Sequence, residues 1–119
     1  MKADDALQGT TTIAPDVLLT IAQLTTLNVA GVSRLSHVQR PVNRLLKRTQ
    51  RREGVLIEVV DEVVYVDIYV VLISDVNVRD VSHNIQHEVT RAISEMVGMP
   101  VGRVNIHIED IDYPSEEET

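Results

Sequence analysis

Residues 54–73 constrain the fold of this chain more than any other stretch. They read Gly54-Val-Leu-Ile-Glu-Val-Val60, then Asp61-Glu62, then Val63-Val-Tyr-Val-Asp-Ile-Tyr-Val-Val-Leu-Ile73. β-Branched side chains suit a pleated surface and an acidic dipeptide suits solvent, so the two runs predict a hairpin. In the second run Val64, Val66, Ile68, Val70 and Leu72 make one unbroken apolar face, while Tyr65, Asp67 and Tyr69 interrupt the other. A strand alternates its side chains between faces, so one face is buried and the other is at least partly wet.

The remaining chain must cover the apolar face. Pro15 suits the first turn of a helix, and Val17, Leu18, Ile21, Ala22 and Leu24 then recur at helical spacing until Ala30-Gly31. Gly9–Ile13 is a short β-prone run before it, and Val32–Leu35 a short strand after it. Beyond the hairpin, Asn77 is placed to cap a helix carrying Val78, Val81, Ile85, Val89, Ala92, Ile93 and Met96, which Gly98 and Pro100 end. Val104, Ile106 and Ile108 alternate with Asn105, His107 and Glu109, as in a half-buried strand. The order predicts an α+β two-layer sandwich: a small, mostly antiparallel sheet with two amphipathic helices on one face. With 119 residues there is material for one core. Residues 1–8 read as a flexible lead-in, 9–113 as a single domain, and 114–119 as a disordered acidic tail.

Charge is unevenly placed. Residues 34–52 hold seven Arg or Lys and no Asp or Glu; against a total of −7, that +7 leaves −14 on the rest. Within 41–52 a basic amphipathic helix and a solvated connector are both consistent with the residues. In either form Arg40, Arg44, Lys47, Arg48, Arg51 and Arg52 make a basic surface that suits nucleic-acid phosphate or anionic lipid. The acidic body opposes general nucleic-acid binding, and the two signs would also attract copies of the chain to one another.

Few residues suggest reaction chemistry. There is no Cys, which excludes disulfides and thiolate catalysis. No nucleophile elbow or phosphate loop occurs, so no enzyme activity is expected. His83 and His87, with Asp80 one turn before, are the candidate metal ligands, but they lack a dedicated third ligand and Arg91 follows one turn on. No cofactor is expected. Tyr65, Asp67, Tyr69 and His107, with Asn105 and Glu109, are expected to share the exposed sheet face, where aromatics would stack bases or meet another subunit. The start lacks a signal-peptide core, and no apolar run reaches the ~18–20 residues of a membrane span, so a soluble chain is expected.

Gly9-x3-Ile13-x-Pro15-x-Val17, Ile21-Ala22 and Gly31-Val32 resemble the opening of the alkaline shock protein family of bacterial envelope-stress proteins. Gly54-Val55, Val66-Asp67-Ile68 and Val81-x3-Ile85-Gln86-x2-Val89 resemble its middle, and Met96-x-Gly98 with Val104-Asn105-Ile106-x-Ile108 its close. The resemblance implies a non-catalytic scaffold or adaptor of the envelope stress response that self-associates, with a membrane-anchored protein as candidate partner. It implies a cytoplasmic chain, held peripherally at the inner face of the membrane through that partner. Ala14, Ser74-Asp75 and the basic segment 37–53 depart from the family pattern, and the last, read as an insertion, adds a surface the pattern does not explain.

Overall fold

The computed structural model describes residues 9–37 and 50–114, with backbone alone for Gln50 and Arg51. Helix α1 (Pro15–Leu27) precedes strands β1 (Val32–Leu35), β2 (Gln50–Arg52), β3 (Val55–Val60) and β4 (Val63–Ile73); helix α2 (Val78–Met96) and strand β5 (Val101–Asp112) follow. The architecture is α+β.

Strand β4 organises the sheet. One of its edges carries β3, from Val60↔Val63 to Val55↔Ile68, and then β1, from Leu35↔Val70 to Val32↔Leu72. These two antiparallel neighbours lie end to end on the same edge. They meet at Tyr69, whose N–H donates to Gly54 O at 2.8 Å and whose carbonyl accepts from Ser36 N–H at 2.7 Å. Strand β2 extends the sheet beyond β3. The other edge of β4 is occupied along its length by β5, in parallel. This parallel pairing follows from the connection: a strand returning through a long helix comes back in the same direction.

The hairpin turn is Asp61-Glu62, with φ of 53° and 68°, the left-handed pair whose twist matches the flanking strands. Val64, Val66, Ile68, Val70 and Leu72 are all fully buried beneath the helices. Val81, Ile85, Val89 and Ile93 of α2 and Leu18, Leu19 and Ala22 of α1 complete the core. Asn77 caps α2, its side chain accepting from Asp80 N–H at 3.0 Å, and Gly98 follows the helix end at φ 79°.

Several expectations are corrected. Residues 10–14 form no regular structure, and no strand among the described residues pairs with them. Helix α1 stops at Leu27, where Asn28 N–H bonds back to Leu24 O and Thr25 O, before Ala30-Gly31. Met96, expected on the apolar stripe of the helix, is 71% exposed at the last residue of α2. Residues 50–52 are strand, not helix, because they pair with β3. The lead-in 1–8, most of the proposed basic helix and residues 115–119 lie outside the described residues.

Candidate functional site on the open sheet face

The helices cover one face of the sheet, and the register on the other face brings together residues distant in sequence. Asp67 of β4 stands beside Asn105 of β5, and Tyr69 beside His107. Asp67 Oδ1 accepts from Asn105 Nδ2 at 3.1 Å and lies 2.9 Å from His107 Nε2. The His107 ring also stacks on Tyr69, with centroids 4.3 Å apart and planes 12° from parallel. Hydrogen bond and stack together fix the imidazole in orientation, each contact restricting a different rotation. The side chains of Asp67 and His107 remain about one-third exposed, at 33% and 36%.

The residues of this face differ in burial. Tyr65 and Asp67 are half-buried and His107 is half-buried, but Tyr69 is only 8% exposed. Tyr69 is covered because it occupies the junction of β1 and β3 and carries the His107 ring. Val71 beyond it is also buried, at 2%. The face is therefore an apolar base with polar edges rather than a uniformly wet surface. A depression of about 380 Å³ above Val71 is lined by Arg34, Ser36, His37, Tyr69, Glu109 and Asp110.

One end of the face is locked by Asp112. Its Oδ2 accepts from Ser33 Oγ at 2.6 Å and from Arg34 Nε at 3.0 Å, and its Oδ1 lies 3.3 Å from Arg34 Nη2. Hydrogen bonding by Arg34, then by Ser33, holds the Asp112 carboxyl below its ordinary range, and the same carboxylate raises the Arg34 guanidinium. The cluster joins β1 to the end of β5 across β4. Sequence reading missed it because 78 residues separate Arg34 from Asp112 and no local spacing signals the pair.

The basic residues divide. Arg52 lies on β2, where Nη2 is 3.1 Å from Asp16 Oδ1 and Nη1 donates to Thr20 Oγ1 at 2.8 Å. It therefore ties β2 to the first turns of α1. Arg51 pairs with Leu56 through the backbone, while Arg40, Arg44, Lys47 and Arg48 lie outside the described residues. His83 and His87 are exposed on α2. Among the described residues no three His, Asp or Glu side chains converge as a metal site would require. A broader groove of about 570 Å³ separates the two helices, and its Arg91 is paired with Glu95 at 3.5 Å.

Among the described residues no helix is long and apolar enough to cross a membrane. Comparison with known proteins places the chain among bacterial relatives. It is 24% identical over 117 residues to YqhY of Bacillus subtilis (strain 168), covering 98% of this chain and 87% of the relative. It is 37% identical over 103 residues to Spy1535 of Streptococcus pyogenes serotype M6, covering 87% and 79%. Both relatives are uncharacterized proteins. The model of the alkaline shock protein 23 family, described as having a cell envelope-related function, matches residues 3–113. The chain belongs to the alkaline shock protein 23 family, a family of cell envelope-related function.

Proposed function

We propose that this chain is a non-catalytic scaffold or adaptor of the cell-envelope stress response, working by self-association and partner binding through the open sheet face and its β5 edge. The observation that carries the reading is the sheet's second face, which neither described helix covers and where Tyr65, Asp67 and His107 stay partly exposed around the buried Tyr69 and Val71. Beside it runs β5, an edge strand of 12 residues with no further strand beyond it among the described residues. An uncovered face next to a long edge is a surface for another polypeptide. The Asp67–His107–Tyr69 set supports recognition, since its side chains are held in place before any partner arrives.

The reading extends to place. With a membrane-anchored protein as partner, the chain sits in the cytoplasm, peripheral to the inner face of the membrane. Light scattering coupled to size exclusion tests the self-association, and capture from membrane extracts tests the partner. A monomer at every concentration, with no membrane protein captured, refutes both. The basic segment supports the alternative reading, a nucleic-acid- or lipid-binding module. Of its cations, Arg52 is already engaged by Asp16. Binding to RNA or to phosphatidylglycerol vesicles that weakens steeply with salt, and is lost on Arg44→Ala with Arg48→Ala, would favour it.

A further inference from the structure

The backbone hydrogen bonds fix which groups of β5 face outward. Val64 N–H donates to Pro100 O and Ser74 N–H to Asp112 O, whereas Tyr69 turns both its groups to the opposite edge. The even-numbered residues of β4 therefore bond β5, and in this register Arg103, Asn105 and His107 answer them. Val104, Ile106 and Ile108 turn their N–H and C=O away from the sheet. The single side chain seen on this edge agrees: Gln86 Nε2 donates to Val104 O at 3.0 Å. Gln86 guards one carbonyl of a template that is otherwise open among the described residues.

The same segment is self-complementary. We infer that β5 pairs antiparallel with β5 of a second copy about a two-fold axis at Ile106, joining two sheets into one. This rests on the self-association reading above and names its interface. With Ile106 opposite Ile106, the outward groups of Val104 meet those of Ile108, and all of these are hydrogen-bonding positions. Their side chains lie on the helix side, where Val104 is buried and Ile106 and Ile108 are partly buried against the core, so the pairing closes an aliphatic row. On the open side, Asn105 falls opposite His107 and Arg103 opposite Glu109.

Charge selects this register. Arg103 and Glu109 are exposed, and neither has a charged partner among the described residues. Sliding the axis to Asn105 places Arg103 against His107; sliding it to His107 places Glu109 against Asn105 and leaves Arg103 unmatched. Register shifts interrupt β5 around Gly102 and at Glu109, so the regular stretch between them centres near Ile106. Only the axis at Ile106 joins opposite charges at both ends of the paired segment.

Charge reversal tests this directly. Arg103→Glu or Glu109→Arg sets like charges at two symmetric positions, and the dimer dissociation constant should rise about ten- to a hundredfold. The double variant Arg103→Glu with Glu109→Arg restores the pairing and should return the wild-type mass. Sedimentation across a dilution series reads all four proteins, and far-UV circular dichroism confirms that each is folded. Single variants that associate like wild type, or a double variant that fails to recover, overturn the β5 interface while self-association stands. A wild type that is monomeric throughout overturns both.

Discussion

The junction of β1 and β3 at Gly54 supports a quantitative prediction. Gly54 has φ +75°, and a Cβ there would lie 2.7 Å from Leu35 Cβ and 3.1 Å from the Tyr69 carbonyl oxygen. Alanine would meet two costs. The left-handed backbone costs a residue with a Cβ about 1–2 kcal/mol. The crowding forces β1 and β3 apart, with a further loss of about 1–3 kcal/mol as in other over-packed sites. That separation also stretches the bonds at Tyr69 that hold both strands to β4. The expected loss is about 2–5 kcal/mol. Gly98 is the control: its φ is +79°, but nothing lies within 4 Å of its Cβ position. Gly98→Ala should therefore lose only about 1–2 kcal/mol. Urea denaturation with unchanged slope measures both. Equal losses in the two variants would refute the claim that the strand junction, rather than the backbone angle, makes Gly54 necessary.

Two further outcomes follow from the core and from the edge of the open face. Thr26 is fully buried and its Oγ1 has no hydrogen-bond partner among the described residues, so Thr26→Val should be neutral or stabilise by about 1 kcal/mol in the same denaturation assay, and a loss beyond about 1 kcal/mol would refute it. The Asp112 pKa is lowered in the folded chain, so its stabilising contribution is present above the unfolded carboxylate value of about 3.9 and is lost as pH falls through the lower folded value. Asp112→Asn should therefore flatten the acid limb of the stability profile below about pH 4, and an unchanged limb would refute the assignment.

The sheet core was legible because its signal is local. Five aliphatic residues at alternate positions from Val64 to Leu72 dictate a buried face whatever the neighbours, and the spacing from Val81 to Ile93 dictates the helix that covers it. Asn77 and Gly98 act within one turn of the helix they end, so they too could be read. What escaped depends on pairing between distant segments. The parallel placement of β5, the burial of Tyr69 and Val71, the Ser33–Arg34–Asp112 cluster and the strand at 50–52 are set by which strand lies beside which. Arg52 shows this plainly: its basic context suggested a helix face, and pairing with β3 turns it toward Asp16. At the candidate site the residues Tyr65, Asp67 and His107 were foreseeable from alternation. Their hydrogen bonds and stack were not, because these require the β4–β5 register.

Association through the edge of β5 is tested most directly by amide hydrogen exchange at Val104, Ile106 and Ile108 over a range of protein concentrations. Their N–H groups point away from β4, and no acceptor for them is found within the chain among the described residues. Protection of these three amides should rise with concentration, while protection of Arg103, Asn105 and His107 stays fixed by β4. Slow exchange at all six positions in dilute monomer, or exchange at the three outward amides that ignores concentration while the protein associates, would contradict the account.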